Sequence, residues 1–496
     1  MFSRVLIANR GEIAVRLIRA CHELGARAIA VYSEADAAAP HVLLADEAVC
    51  VGPAASAQSY LDSERIVEAA CHLGAEAVHP GYGFLAENAA FARAVSDAGL
   101  TFIGPQAEAI AAMGDKVAAR QRVVAAGVPV VPAVENVRDP AELTRHVQRI
   151  GYPLLIKAAA GGGGKGMRIV RAERELENAF AAAGREAQSA FGDGRLFVER
   201  YLDRPRHVEV QVLADQHGDI LHLGERECSI QRRHQKILEE TPSPALTPEL
   251  RDQMTSAALA AARSVNYSNA GTVEFLLDQD GRFYFLEMNT RLQVEHPITE
   301  LVSGVDLVHA QLRIAAGERL WLRQQDVAPR GHAIECRVYA EDPAQQFLPS
   351  PGTIEYLREP QGPGVRVDSG IMPGFTVPLH YDPLLAKVSV WAETREDARR
   401  RMVGALRDYV VLGCITSIPF LVDVLEHPAF VAGDTHTHFI DEHFPTWHGK
   451  EQHRLIAAIA AAIDSTRPGR HPASPGQPAA VASPWTSLGH WRLGQG

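Results

Sequence analysis

The sequence predicts a multidomain protein of mixed α/β and α+β class: a doubly wound N-terminal unit, a central α+β unit and a β-rich C-terminal unit. Three observations carry this. Short apolar runs alternate with helix-period stretches over the first ~100 residues, the pattern of a parallel sheet wound with helices. From residue 152 the texture changes to strands separated by glycine-rich loops and hairpin turns. From residue 331 another strand-rich stretch begins, dense in Pro and Gly through 349–383.

Taken in order, RVLIA (4–8) is the first strand, and GEIAVRLIRACHELG is a helix that stops at Gly25. AIAVY (28–32), AVCVG (48–52), AVHPGYG (77–83) and LTFIGP (100–105) are the following strand candidates. NRGEI after the first strand lacks GxGxxG, so a dinucleotide fingerprint is absent there. Asp115 is a good N-cap for the helix KVAARQRVVAA, closed by Gly127. HVEVQVLAD (207–215), GDILHLGERE (218–227), GTVEFLLD (271–278) and RFYFLEMN (282–289) read as antiparallel strands, and GHAIECRVYAED (331–342) opens the last unit, which ends in a helical stretch near 394–406. Residues 466–484 are Pro/Gly/Ser/Ala-rich and predict a disordered linker, with Trp485 and Trp491 beyond it.

Composition narrows the function classes. At 496 residues and a net charge of −11, the chain lacks the basic footprint of a nucleic-acid-coating protein. Its six cysteines form no CxxC pair, which fits a reducing cytoplasm better than a disulfide framework or zinc module. No apolar run approaches the ~18 residues of a membrane helix, so no membrane insertion is expected.

The loop GGGGKG (161–166) fails as a Walker A motif, because residue 159 is Ala and Lys165 precedes Gly. What remains is a glycine flap between two strands, able to lay backbone N–H groups over phosphates, with Lys157 at its entrance. A flexible hairpin loop is the plainer alternative. Glu274 and Glu287 are more informative. A two-residue turn at Asp280-Gly281 places Gln279 opposite Arg282 and, counting outward, Glu274 opposite Glu287. Facing carboxylates destabilise a hairpin unless a cation lies between them, and all-oxygen ligation suits Mg²⁺ or Mn²⁺. From Glu287 every odd position is polar: Glu287, Asn289, Arg291, Gln293 and Glu295. Fully extended, that run spans ~27 Å, so it must bend to serve one pocket. Arginine and glutamine beside a cation would hold a small oxyanion, with Glu295 available as a base. An amphipathic edge strand explains the alternation but not the Asn and Gln. The QRRHQK segment (231–236) is either anion-facing or a solvated basic run. Lys116 opposes its helix dipole unless an anion lies nearby. His207 alone reads as an ordinary strand histidine, and Arg337 as the partner of Glu335 on one strand face.

Together these segments resemble biotin carboxylases: VLIANRGEIAVRLIRACHELG, HVLLADEAVCVGP, HPGYGFLAEN, FIGP with MGDK, IKAAAGGGGKGM, VERYLDRPRHVEVQ, ERECSIQRRHQKILEE, EMNTRLQVEHPITE and GHAIECRVYAEDP. The resemblance covers about residues 1–445. It implies an N-terminal Rossmann-like domain preceding the ATP-grasp unit (1–114), an ATP-grasp domain (115–320) whose mobile lid covers about 130–203, a C-terminal domain (330–445) and a tail (446–496). The implied reaction is ATP-dependent carboxylation of biotin by bicarbonate, through carboxyphosphate, as the first half-reaction of an acyl-CoA carboxylase such as acetyl-CoA carboxylase.

The resemblance also implies roles. Lys116, Lys157 and His207 would touch the nucleotide, and Gly161, Gly162, Gly163, Gly164, Lys165 and Gly166 would cover its phosphates. Glu199, Arg200 and Leu202 would hold adenine, with Gln231 and His234 near the ribose. Glu274, Glu287 and Asn289 match the Mg²⁺ or Mn²⁺ ligands. Arg291, Gln293 and Val294 would hold bicarbonate, Glu295 would deprotonate it, and Lys236 would hold carboxyphosphate. Arg337 would stabilise the ureido oxygen of biotin, whose pocket Tyr82 could line. Ala160 stands where the family often has glycine, predicting a slightly stiffer loop. No methionine precedes a lysine, so biotin would be carried by a separate biotin carboxyl carrier domain. Carboxyltransferase subunits and a homodimer complete the implied partners. Alternatives are another ATP-grasp ligase, a fragment of a methylcrotonyl- or propionyl-CoA carboxylase α subunit, or a silent scaffold.

Overall fold

The computed structural model describes residues 1–137, 147, 150–158, 168–191, 196–449, 459 and 462–463. Met1–Trp447 form one compact unit and His448–Gly496 a second. The glycine loop 161–166, Ala160, the linker 466–484, Trp485 and Trp491 lie outside the described residues.

The chain opens with β1 (Arg4–Ile7), α1 (Gly11–Glu23), β2 (Arg27–Ser33), β3 (Glu47–Gly52), β4 (Ala77–His79) and β5 (Thr101–Phe102). These strands pair in parallel, in the order β3-β2-β1-β4-β5, the doubly wound sheet that the alternation predicts. AVHPGYG contributes only its first three residues to a strand; Gly81 and Gly83 then take left-handed φ angles of +64° and +68° in the loop that carries Tyr82. α2 (Lys116–Ala125) is capped as expected, with Asp115 accepting from the N–H groups of Val117 and Ala118, and Gly127 follows it at φ +78°.

A four-stranded sheet follows, ordered β6 (Ala133–Val137), β9 (Leu196–Arg200), β7 (Leu154–Ala158), β8 (Arg168–Val170). α3 (Glu173–Phe191) buries Leu176, Phe180, Ala183 and Ala187 against Leu154, Ile156, Val170, Leu196 and Val198 of that sheet. This small apolar layer is a core of its own.

The main platform is an eight-stranded sheet. Its strands are β10 (Arg206–Ala214), β11 (Ile220–Arg232), β12 (Gln235–Thr241), β13 (Asn269–Leu277), β14 (Phe283–Asn289), β15 (His332–Tyr339), β16 (Val365–Ser369) and β17 (Leu384–Ala392). They lie in the order β14-β13-β10-β11-β12-β15-β17-β16. α4 (Pro248–Arg263) covers the end made by β10, β13 and β14, burying Met254, Ala258 and Ala261 with Val208, Val273 and Phe275. α6 (Arg395–Asp408) packs over β15 and β17 through Met402 and Leu406. On the opposite face lies α5 (His296–Ser303), which follows directly on the polar run 287–295; its Thr299 accepts from Arg226 of β11, and Ile298 and Val302 pack on Ala333 of β15. One face of the sheet is therefore apolar, while polar side chains line the other at its centre.

Candidate active site

The β13–β14 hairpin sets the geometry. Glu274 and Glu287 are paired opposite one another, as the count from the turn predicts. The path to that register differs. Asp278 and Arg282 close a loop of three residues, Gln279, Asp280 and Gly281, with Gly281 at φ +79°. That places Phe275 opposite Phe285, one position off the two-residue count. A bulge at the exposed Leu286 then restores the expected pairing from Glu274 onward. The two irregularities cancel.

Glu274 is buried and crowded with donors. Its Oε1 accepts from Lys236 Nζ at 2.9 Å, Asn289 Nδ2 at 2.6 Å and Gln293 Nε2 at 2.8 Å. Its Oε2 lies 2.7 Å from His207 Nε2. Burial opposes its charge, but Lys236 and His207 outweigh that and hold the carboxyl far below the usual range. Glu287 makes no hydrogen bond or ion pair among the described residues, and partial burial together with Glu274 raises its pKa. An uncompensated carboxylate facing another across a ladder is a fit for a divalent cation, and its donors are all oxygen.

The run 287–295 bends as its length requires: β14 ends at Asn289, and Glu295 occupies the N-cap position of α5. The amides that mere amphipathicity left unexplained now have a task. Arg291 donates to Asn289 Oδ1 at 3.0 Å and to Gln293 Oε1 at 2.8 Å, while both amide nitrogens donate to Glu274. Asn289 and Gln293 thus brace the guanidinium against the carboxylate. Glu87, from the first domain, accepts from Arg291 Nε at 2.8 Å.

Lys236 is the hub. Its three N–H bonds go to Glu209 Oε2 (2.5 Å), Glu274 Oε1 (2.9 Å) and Glu295 Oε1 (2.7 Å). Burial disfavours the ammonium, yet the three carboxylates raise its pKa well above the ordinary value. Arg226, wholly buried beneath, holds Glu209 Oε1 at 2.5 Å. Glu295 Oε2 accepts from Arg337 Nη2 at 2.9 Å. Burial pushes the Glu295 carboxyl up, but Lys236, Arg337 and Arg226 bring it well below the carboxylate range. Glu295 therefore joins the cation cluster to Arg337. The pairing expected between Arg337 and Glu335 is not made; Arg337 Nε instead donates to Glu239 Oε1 on the neighbouring strand at 2.6 Å. Side chains reaching across the sheet are closer to the guanidinium than its own-strand neighbour.

The remaining sequence candidates fall around this cluster. Gln231 Nε2 lies 2.9 Å from His207 Nδ1. QRRHQK is divided rather than uniformly solvated. Gln231 and Arg232 end β11 and are buried, whereas Arg233 and His234 form an exposed two-residue turn, both with positive φ. Lys157 pairs with Glu199 across β7 and β9. Arg200 reaches Asp278 at 3.4 Å. Leu202 packs with Val131, Tyr284 and Leu276 in a small separate apolar cluster. Lys116 is exposed at the start of α2, close enough to Glu287 to lower its pKa. The Val294 carbonyl accepts from the fully buried Lys387 at 2.8 Å. Lys387 also lies 3.3 Å from Glu12, whose carboxylate takes the Tyr82 hydroxyl. Lys165 and the five glycines of 161–166 lie outside the described residues.

Glu87, Glu209, Arg226, Glu239 and Lys387 were not anticipated from the sequence. Glu209 carried a signal: His207, Glu209 and Gln211 alternate with valines, a polar face along a buried strand. Glu87 and Lys387 carried none, because only the tertiary fold brings them to residues 204 and 93 positions away.

Comparison with known proteins gives the family. The N-terminal domain model of biotin carboxylase matches residues 1–110 and its C-terminal domain model residues 335–442. Between them, the ATP-binding domain model of the carbamoyl-phosphate synthase L chain matches 115–323. Biotin carboxylase 1 of Bacillus subtilis is 53% identical over 446 residues, which are 89% of this chain and 98% of that one. The chain belongs to the biotin carboxylase family. It is an ATP-dependent ligase with the family's N-terminal, ATP-grasp and C-terminal domains. The biotin carboxylase of Haemophilus influenzae is 51% identical over 444 residues, covering 89% of this biotin carboxylase and 99% of its relative. A solved biotin carboxylase domain dimer of Hydrogenobacter thermophilus 2-oxoglutarate carboxylase, in complex with MgADP, ADP and bicarbonate, superposes with a TM-score of 0.82 at 49% identity. It covers 89% of this chain and 98% of that one. No helix among the described residues is long and apolar enough to cross a membrane.

Proposed function

We propose that the Lys236 cluster and Arg337 carry the two halves of biotin carboxylation, bicarbonate activation and transfer to biotin N1, with Glu295 shared between them. The observation that supports this most directly is the position of Glu295, one oxygen on Lys236 and the other on Arg337. ATP lies with adenine against Leu202 and beside Glu199 and Arg200, its ribose near Gln231 and His234, and its phosphates toward Lys116, Lys157, His207 and the 161–166 loop. Glu274 and Glu287, with Asn289 beside them, would hold Mg²⁺ or Mn²⁺, which when bound draws charge from the phosphoryl oxygens. Arg291, Gln293 and the Val294 backbone hold bicarbonate, the guanidinium braced by Asn289 and Gln293. Glu295 takes the bicarbonate proton, and the oxygen so freed attacks the γ-phosphorus while ADP leaves. Lys236 holds the resulting carboxyphosphate, which divides into CO₂ and phosphate. Phosphate takes the N1 proton of biotin, Arg337 stabilises the negative ureido oxygen, and N1 attacks CO₂, with Tyr82 lining the biotin pocket. Fixed cations do the electrostatic work throughout.

The biotin is carried on a separate carboxyl carrier domain, and carboxyltransferase subunits pass the carboxyl group to its final acceptor, which we take to be an acyl-CoA. The Hydrogenobacter domain is a dimer, which favours a homodimer here. All six cysteines are free, in keeping with a cytoplasmic location. The test is ADP release by the purified protein with Mg-ATP and bicarbonate, with and without free biotin. Stimulation by biotin is expected, together with a loss of at least ~100-fold in Glu295→Gln. Turnover indifferent to biotin would sink the assignment.

A further inference from the structure

Beside Arg337 lie two glutamates that the reaction above does not use. Glu239 and Glu335 stand directly opposite one another on β12 and β15. Their side chains therefore leave the sheet on the same face, with Cβ atoms ~5 Å apart. Both are wholly buried. Each has one oxygen satisfied and one bare. Glu239 Oε1 accepts from Arg337, and its Oε2 is buried with no partner. Glu335 Oε2 accepts from Ser389 Oγ at 2.6 Å, and its Oε1 is buried with no partner. Two ionised carboxylates placed this way would repel each other and leave two desolvated oxygens unpaired. One proton between the bare oxygens removes both faults.

We propose that Glu239 and Glu335 share a single proton, forming an acid–carboxylate pair that positions the Arg337 guanidinium for biotin. The proposal rests on the reading of Arg337 as the biotin-facing residue. With one proton the pair carries one negative charge. That is enough to orient Arg337, and weaker than a doubly charged pair that would hold the guanidinium back from the ureido oxygen. Burial, the first cause in each case, raises Glu239 to about 8 and Glu335 to about 7. The groups acting on the pair are Lys236 on β12, Arg337 on β15, Lys387 and Ser389 on β17 and Asp368 on β16, while Cys336 feels both charges from the opposite face of β15. Glu295 at the start of α5 also acts on Glu239. Arg226, Lys236, Arg337 and Lys387 are buried or nearly buried among Glu12, Glu209, Glu239, Glu274, Glu295 and Glu335.

The test has two readouts. Infrared difference spectra on ¹³C-glutamate-labelled protein at neutral pH are expected to show one protonated-carboxyl band in the wild type that is missing from both Glu335→Gln and Glu239→Gln. Persistence of that band in both variants overturns the shared proton. In the pH profile of kcat/KM for free biotin, the wild-type rate is expected to fall at alkaline pH. Glu335→Gln, whose amide donates permanently to Glu239 Oε2, moves that fall upward by about one pH unit or more. An unmoved alkaline limb overturns the positioning role. Failure of the Arg337 reading is separable, since it would show as Arg337→Ala with unchanged biotin kinetics while the infrared result stands.

Discussion

Lys236 concentrates the site's electrostatics in one residue. Three carboxylates converge on its ammonium, and removing that cation takes from Glu209, Glu274 and Glu295 the one positive charge they share in a buried space. Lys236→Met is therefore expected to cost about 3–5 kcal/mol of stability in denaturant unfolding, with ADP release falling by at least ~100-fold. Variant protein of wild-type stability would show that the three carboxylates do not depend on the ammonium. Much of this residue set was legible beforehand. The facing pair Glu274 and Glu287, and the odd-position run through Glu295, follow from local spacing alone. The residues that complete them, Glu87, Glu239 and Lys387, come from elements whose approach only the folded sheet and its neighbours decide. Arg337 was visible, but its partners were not, because same-strand alternation favours Glu335 while the structure sends Arg337 across to Glu239.

At the scale of the element, the β13–β14 hairpin shows why a correct pairing can follow from an incorrect turn. The Asp280-Gly281 signal was real, but the ladder closes at Asp278 and Arg282 with one more residue in the loop, and the bulge at Leu286 returns the lost position. Bulges have weak sequence signatures, so that compensation could not be read in advance. The turn and the cation-facing pair are consequently separable. A Cβ at Gly281 would meet nothing within 4 Å, so Gly281→Ala suffers only from the left-handed φ of +79°. Its expected cost is about 1 kcal/mol, with Gly281→Asn milder, because Asn tolerates that region. Unfolding midpoints would measure both, and the Mg²⁺ dependence of ADP release is expected to stay unchanged. A shifted Mg²⁺ requirement would mean that the loop, and not the bulge, sets the Glu274–Glu287 register.

Across the whole molecule, buried carboxylates of two kinds pull stability in opposite directions with pH. Glu274 and Glu295 are held well below their ordinary range, by Lys236 foremost among their partners and against the opposing effect of burial. Their contribution is complete above the unfolded value of ~4.3 and is lost as pH falls through the lowered folded values. Glu12, Glu239 and Glu335 are the reverse: burial lifts them to about 7, 8 and 7. The folded protein keeps protons there that the unfolded chain has already released, so between ~4.3 and about 8 stability declines as pH rises. The two trends meet on the acid side of neutrality, where the folded protein is expected to be most resistant to heat. Glu12 provides the control. Its Oε2 is buried without a partner while its other oxygen takes Tyr82 and lies near Lys387, so Glu12→Gln removes a titrating site and keeps its shape. Thermal midpoints collected from pH 5 to 9 are expected to fall less steeply between pH 5 and about 7 in that variant than in the wild type. Parallel curves over that range would show that the decline originates elsewhere, and that Glu12 stays ionised against Lys387 throughout.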